Sequence, residues 1–193
     1  MEIKSVEKLT NEKWVNLFAA EYEHKGETGR WLFASRKPAA HQPVGPAGDA
    51  VIIAPILLAD GHPPRLVLEK EFRIPVGDYV IGFPAGLLEP GESVEDAVRR
   101  EILEETGFEV VRFKRITQGL YASSGLTDEA AAVAFIDVRA VDGGRPKLEA
   151  SEDIEVILLE FPEVSRLCDD STARIDARVW MVLYLYQQLG RLE

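Results

Sequence analysis

The order of hydrophobic and polar positions predicts a sheet of several strands. A continuous apolar, β-branched run predicts a buried strand at 50–58, and alternating positions predict strands at 65–72 and 79–83. Two later apolar runs predict strands at 130–138 and 154–161. Because strands and helices interleave without regular alternation, we expect a mixed sheet flanked by helices, in the α/β or α+β class.

Two helices are predicted among these strands. The first covers 94–106, with Ser93 as its N-cap, Asp96 three residues later, and Gly107 directly after its last turn. The second covers 173–189 and has a strongly apolar face.

The first 48 residues have a different pattern. A strand is predicted from Trp31, the stretch 14–22 is ambiguous between helix and strand, and the Pro- and Gly-rich stretch 37–48 predicts no regular structure. We therefore expect an accessory β-hairpin lobe with a connector at 1–48 and a second domain at 49–193. Since so small a hairpin is barely stable alone, it must pack on its own body or on a second subunit.

Composition narrows the possible partners. The chain has 193 residues, of which 46% are hydrophobic, as in an ordinary globular protein. A formal charge of −11 argues against general binding to nucleic acid through its phosphates. No apolar stretch is long enough to cross a bilayer and no secretory signal is visible, so we expect a cytoplasmic protein without a membrane partner. The single cysteine, Cys168, excludes an internal disulfide.

Acidic residues on the predicted helix 94–106 indicate a cation site. Glu101 and Glu105 are four residues apart and so share one helix face, with Glu104 beside them. Like charges at this spacing destabilise a helix unless a cation binds there. Carboxylate oxygens are suitable ligands for a hard divalent ion such as Mg²⁺ or Mn²⁺, which could in turn bind phosphate oxygens.

The spacing around this helix resembles the signature of the Nudix hydrolases. A glycine is followed after five residues by a glutamate, and after seven more by Arg-Glu-Ile-Leu-Glu-Glu-Thr-Gly-Phe. The matching positions are Gly86, Glu92, Arg100, Glu101, Glu104, Glu105 and Gly107. A chance match of seven such positions is on the order of 10⁻⁷ to 10⁻⁸ per window. The resemblance implies an α/β/α sandwich with a mixed sheet, and an enzyme that hydrolyses a nucleoside diphosphate linked to another moiety.

The resemblance also implies roles for individual residues. The implied metal ligands are the carbonyl of Ala85 and the carboxylates of Glu101, Glu104 and Glu105. Arg100 is expected to orient the glutamates through a salt bridge, and Glu92 and Gly107 are expected to be architectural. The candidate catalytic residues are Glu152, Glu149 and Glu104. Glu152 is favoured over Glu149 as the base, on an acidic loop before the last predicted strand.

Flanking segments resemble the ADP-ribose and ADP-sugar pyrophosphatase branch of that family. Its implied substrate is a nucleoside diphosphate sugar, with ADP-ribose first. The candidate substrate-binding residues are Trp31, Arg36, Arg73, Gly86, Leu126 and Glu129. Among them Trp31 is expected to stack on the base and Arg73 to contact the diphosphate. The branch further implies a homodimer that exchanges its N-terminal hairpins and builds each site from both chains.

Several alternatives stay open at this point. The chain has Ser123-Ser124-Gly125 where ADP-ribose pyrophosphatases typically carry Ser-Pro-Gly, which leaves room for GDP-mannose or another nucleotide sugar. A free nucleoside triphosphate is a further possible substrate, although the flanking segments argue against it. A Nudix-like module that binds a nucleotide sugar without cleaving it is the alternative outside the enzymes. The complete set of motif glutamates favours an enzyme.

Overall fold

The computed structural model describes residues 1–40, 45 and 47–190, which group into two compact units. The first unit comprises Met1–Asp49 and Gln118–Ala131, and the second comprises Ala50–Thr117 and Ala132–Glu193. The first unit thus contains a segment that the proposed division at 48/49 assigns to the second domain, and that division stays a proposal. The irregular stretch predicted at 37–48 lies partly outside the described residues.

The first unit contains a three-stranded antiparallel sheet in the order β1-β2-β3. Its strands are β1 (Glu2–Lys8), β2 (Asn16–His24) and β3 (Glu27–Ser35). The ambiguous stretch at 14–22 is therefore largely strand, and β1 adds a strand to the expected hairpin. Strand β1 has no apolar run, and nearly all of its residues are exposed. It is therefore held by its pairing with β2.

The second unit is built on a mixed sheet, as predicted. Its strands are β4 (Ala50–Leu57), β5 (Arg65–Arg73), β6 (Asp78–Gly82), β7 (Ala85–Leu87), β8 (Phe108–Ile116), β10 (Ala130–Ala140) and β11 (Ile154–Leu159). The main path of the sheet is β11-β5-β4-β10-β8, with β6 paired to β5 and β7 paired to β4. Strand β10 runs parallel to β4, whereas the other pairings are antiparallel. The short strand β9 (Leu120–Tyr121) lies in the first unit and pairs with Ala130 and Ala131.

Helices cover both faces of this sheet. Helix α1 (Val94–Glu101) continues into a π-helical turn (Ile102–Thr106), and α2 (Phe161–Asp169) and α3 (Ala177–Leu189) follow. Helix α1 packs on one face, in a cluster that includes Ile53 and Val67, whereas α2 and α3 pack on the other face around Leu66. Because both faces are covered, the central strands are apolar on both sides.

Two element bounds differ from the prediction because a helix cap determines where a helix begins. Helix α3 begins at Ala177 and not at 173, because the Asp176 side chain accepts a hydrogen bond from the Arg178 amide at 2.8 Å. The predicted strand 154–161 ends at Leu159, because Glu160 forms the capping box of α2. Strand β8 and helix α2 were not predicted. Among the described residues, every helix is too short or too polar to cross a membrane.

Candidate active site

Helix α1 and its π-helical turn have fixed ends. The hydroxyl of Ser93 accepts a hydrogen bond from the Asp96 amide at 3.1 Å, which confirms the predicted N-cap. The turn ends at Gly107, whose φ of 72° lies in the left-handed region. A Cβ at Gly107 would lie 2.8 Å from the backbone nitrogen of Arg145, so only glycine fits this end. The segment between these caps carries the three motif glutamates.

The motif glutamates differ in burial. Glu101 and Glu105 are 8% and 5% exposed, whereas the side chain of Glu104 is 47% exposed. Glu104 and Glu105 lie in the turn from Ile102 to Thr106, which is wider than an α-helical turn. Desolvation raises the pKa of Glu101, and desolvation with nearby carboxylates raises the pKa of Glu105 to about 10. Two buried carboxyl groups thus lie where a cation would favour their charged form.

Strand β7 brings backbone groups against these carboxyl groups. The amide of Ala85 donates a hydrogen bond to Oε2 of Glu105 at 3.2 Å. A Cβ at Gly86 would lie 1.6 Å from Oε1 of Glu101, so the missing side chain at Gly86 makes the space that this carboxyl group occupies. Gly86 therefore has a packing role next to Glu101, and its candidate role in substrate binding stays a proposal.

Arg100 links the glutamates to the preceding loop. Its guanidinium donates to both carboxylate oxygens of Glu92, at 2.9 and 3.0 Å, and to Oε1 of Glu101 at 2.6 Å. It also lies 3.4 Å from Glu104 and donates to the carbonyl of Leu87 at 3.1 Å. These contacts lower the pKa of Glu92 and raise the pKa of Arg100. The salt bridge between Arg100 and the glutamates is thereby confirmed.

Glu69 on β5 is a buried acidic residue that was not predicted from the sequence. It is only 2% exposed, and its Oε1 has no hydrogen-bond partner among the described residues. Burial, together with the charges of Glu71, Glu152 and Glu101, raises its pKa to about 8, against the opposing effect of Arg73. The available signal was an acidic residue in a strand whose preceding residues are apolar.

Arg73 ends the same strand and contacts an acidic neighbour. Its Nη2 lies 2.7 Å from Oε2 of Glu71, and its charge lowers the pKa of both Glu71 and Glu69, which burial raises. The side chain of Arg73 is partly exposed. It can therefore bind an anion at the margin of the carboxylate cluster.

The acidic loop before β11 contributes Glu152 to this cluster. The charge of Glu152 raises the pKa of Glu69, Glu71, Glu101 and Glu105. The amide of Glu149 donates to the Glu152 carboxylate at 2.7 Å. Glu152 thus acts on the buried carboxyl groups through its charge, and the choice between Glu152 and Glu149 as the base stays a proposal.

Two contacts hold the end of this loop on β5 and β6. The hydroxyl of Tyr79 donates to Oδ2 of Asp153 at 2.5 Å, and the amide of Phe72 donates to the Asp153 carbonyl at 3.1 Å. Asp153 follows Glu152 directly, so both contacts restrict where the Glu152 carboxylate lies.

The residues present suit a divalent cation, although their side chains are not arranged around a single point. Across the described parts of the chain, no three His, Cys, Asp or Glu side chains are arranged as a ready metal site. The contacts explain why, since Arg100 occupies an oxygen of Glu101 and the Ala85 amide occupies one of Glu105. The candidate ligands are all oxygen atoms, and one oxygen of Glu69 has no partner within the described residues. Both features suit a hard cation.

The first unit brings together other candidates. Arg36 Nε lies 2.7 Å from Oε2 of Glu129, so these two predicted substrate-binding residues form an ion pair. Trp31 is 54% exposed, and its indole N–H donates to the Gly125 carbonyl at 3.1 Å. Leu126 is exposed and its carbonyl accepts from the Ala34 amide at 2.8 Å.

A largely apolar cavity of about 540 Å³ lies in the same unit. Trp31 and Tyr121 line it together with other apolar and polar side chains, namely Met1, Ile3, Ala20, Tyr22, Phe33, Ser124, Thr127 and Asp128. Exposed aromatic rings at such a cavity can stack on a planar base.

Comparisons with known proteins agree with this geometry. A family model described as NUDIX domain matches residues 46–181. The chain is 30% identical over 190 residues to the ADP-sugar pyrophosphatase of Mus musculus, covering 92% of this chain and 84% of that protein. It is 28% identical over 187 residues to the ADP-ribose pyrophosphatase of Saccharomyces cerevisiae, covering 93% and 79%. A crystal structure of an ADP compounds hydrolase has the same fold, with a TM-score of 0.68 at 22% identity over 99% of this chain and 96% of that one.

Proposed function

The chain belongs to the Nudix family, and we propose that it hydrolyses the pyrophosphate bond of a nucleoside diphosphate sugar, with ADP-ribose as its main substrate. The observation that carries the proposal is the pair of buried carboxyl groups on Glu101 and Glu105, beside Gly86 and Arg100. Two relatives that cover most of the chain are an ADP-sugar and an ADP-ribose pyrophosphatase, which supports this substrate class.

Glu101, Glu105 and the carbonyl of Ala85 would hold Mg²⁺ or Mn²⁺, with Glu104 beside them. When bound, a divalent cation neutralises the charge of the diphosphate and lowers the pKa of a water molecule. Arg100 keeps Glu101 in place through its contacts to the Glu92 loop. The Ala85 amide does the same for Glu105.

Glu152 would act as the general base. Its carboxylate takes a proton from the water that attacks one phosphorus, and the bond from that phosphorus to the bridging oxygen breaks. Its interaction with the buried carboxyl groups supports this role over Glu149, and Glu104 stays a second candidate close to Arg100. With ADP-ribose, the products are AMP and ribose 5-phosphate.

Charged and aromatic side chains would bind the rest of the substrate. Arg73 would contact the diphosphate, where a cation stabilises the charge of the leaving phosphate. In the first unit, Arg36, Leu126 and Glu129 would bind polar and apolar parts of the nucleotide sugar. Trp31 would stack on the base, which is worth about 1–3 kcal/mol and tolerates different bases.

The apolar cavity of the first unit supports a homodimer with exchanged N-terminal hairpins. Exposed apolar side chains such as Met1, Ile3 and Trp31 line or flank it, and a second copy would remove them from water. Light scattering at several concentrations tests this, and a monomer at every concentration would contradict it.

We place the protein in the cytoplasm and expect no nucleic-acid partner, in line with a lone, buried Cys168 and the charge of −11.

A substrate panel tests the proposed activity. The purified protein is incubated overnight with ADP-ribose, GDP-mannose or a nucleoside triphosphate, each with Mg²⁺, Mn²⁺ or a chelator, and the products are separated by chromatography. Metal-dependent formation of AMP from ADP-ribose, faster than any other conversion, is the expected result. Faster cleavage of GDP-mannose would change the assigned substrate, and nucleotide binding without any product would indicate a binding module.

A further inference from the structure

We propose that Glu69, which lies outside the 86–108 signature, is an additional carboxylate ligand of the divalent cation held by Glu101 and Glu105. The inference rests on the proposed metal site and adds to it a side chain from β5. The signature contains no residue of this strand.

The side chain of Glu69 is on the face of the sheet that carries α1. Val67, two residues earlier on β5, packs in the same cluster as Val98 and Ile102 of the motif helix. Leu66 and Leu68 pack in the cluster on the opposite face, with α2 and α3. Because successive side chains of a strand alternate between faces, Glu69 points toward the motif helix.

Within the described residues, the charge of Arg73 only partly offsets the burial of this carboxyl group and the acidic charges around it. Its neighbours across the sheet are Val156 on β11 and Gly82 on β6, neither of which has a polar side chain. A comparably buried carboxylate, Asp137, has the ammonium group of Lys114 at 2.7 Å. The Oε1 of Glu69 has no hydrogen-bond partner within the described residues. Burying such a group is costly unless a cation or donor binds to it.

There is room beside Glu69 for a hydrated ion. Gly82 is its register partner on β6, and opposed residues of an antiparallel pair project to the same face. A Cβ at Gly82 would meet no atom within 4 Å. A small divalent ion that keeps several of its waters needs such open space next to its carboxylate ligands.

Metal titration of charge-matched variants tests the inference. Mn²⁺ binding to the full chain is measured by calorimetry for the wild type, Glu69→Gln, Glu71→Gln and Glu105→Gln. Glu71 is the control because it lies on the same face of β5 and is paired with Arg73 at 2.7 Å. We expect Glu69→Gln to weaken Mn²⁺ binding about 10-fold or more, and Glu71→Gln to change it by less than about threefold.

The possible outcomes separate the inference from the site on which it rests. If Glu105→Gln weakens Mn²⁺ binding but Glu69→Gln does not, the inference fails and the proposed metal site stands. If Glu69→Gln and Glu71→Gln weaken binding equally, Glu69 acts only through its charge and the inference also fails. If Glu105→Gln binds Mn²⁺ as tightly as the wild type, both the metal site and the inference are overturned.

Thermal unfolding gives a second measurement that does not depend on activity. Without metal, Glu69→Gln should melt above the wild type, because it removes an unpartnered buried acid, and Mn²⁺ should raise its Tm by less. A lower metal-free Tm with an unchanged Mn²⁺-induced rise would mean that Glu69 only supports the fold, and would overturn the inference.

Discussion

Arg100 donates a hydrogen bond to Oε1 of Glu101 at 2.6 Å, and this contact joins the buried carboxyl group to the loop before the helix. The same guanidinium holds both carboxylate oxygens of Glu92. A cation that binds Glu101 therefore binds to a side chain whose position Arg100 already restricts.

Removing this guanidinium should destabilise the protein. Arg100→Ala leaves Glu92 and the buried Glu101 without their partner, and we expect the free energy of unfolding to fall by about 1–3 kcal/mol. Urea denaturation measures the change. The control is Arg139→Ala, since Arg139 is largely exposed and paired with Glu109, and its loss should cost less than about 1 kcal/mol. Equal losses for both variants would show that Arg100 is only a surface charge.

A methyl group at Gly86 should displace Glu101. The added Cβ would lie 1.6 Å from Oε1 of Glu101, so the carboxyl group must move although Arg100 holds it. We expect Gly86→Ala to weaken Mn²⁺ binding and to lower the free energy of unfolding by about 1–3 kcal/mol. Gly125→Ala serves as the control for folding, because a Cβ there meets nothing within 4 Å. Unchanged metal affinity in Gly86→Ala would contradict the packing role.

The metal-free protein should lose stability as the pH rises from 5 to 9. The pKa values of Glu69 and Glu105 are about 8 and about 10, against 4.5 for an ordinary glutamate. Above pH 4.5 the native state therefore holds protons that the unfolded chain has released, and its stability falls as pH rises. Each group contributes at most about 1.4 kcal/mol per pH unit to this fall.

Urea midpoints at pH 5, 7 and 9 check this dependence, with chelator and with Mg²⁺. A bound cation replaces the protons, so the fall should be smaller with Mg²⁺. Stability that rises with pH in chelator would contradict the burial of unpaired carboxyl groups at this site.

The contact between Tyr79 and Asp153 should affect turnover more than substrate binding. Tyr79→Phe removes the hydroxyl that holds the loop next to Glu152, so we expect kcat to fall about fivefold, equivalent to about 1 kcal/mol, at an unchanged KM. Tyr184→Phe is the control, because it removes the same hydroxyl group from a tyrosine of α3 whose ring stacks on Trp180. We expect it to leave kcat unchanged. In a double-mutant cycle, Asp153→Ala should add little to Tyr79→Phe. Full additivity would mean that the two side chains act separately.

Local signals allowed much of the motif helix to be predicted. Ser93 caps it, the apolar positions keep helical spacing and Gly107 ends it, and each of these depends on nearby residues alone. The wider last turn could not be predicted in this way, because it depends on how the turn packs. The greater exposure of the Glu104 side chain than of the Glu101 side chain was not predicted either.

Features set by strand pairing were harder to predict. Strand β1 is almost wholly exposed and shows no apolar run, so only its pairing with β2 defines it. Glu69 reads in sequence as one charge among Glu-Lys-Glu, and its burial follows from β6 and β11 on either side. Arg73 could be proposed because its segment resembles the pyrophosphatase branch, whereas Glu69 could not be proposed from the sequence.

The release of AMP from ADP-ribose by the wild type and by Glu105→Gln, with Mg²⁺ and with chelator, tests the proposed metal site most sharply. We expect AMP release only with Mg²⁺, and a rate at least about 100-fold lower for Glu105→Gln, whose fold is checked by its thermal unfolding. Wild-type rates from Glu105→Gln, or full activity in chelator, would contradict the claim that the buried glutamates hold a divalent cation against the diphosphate.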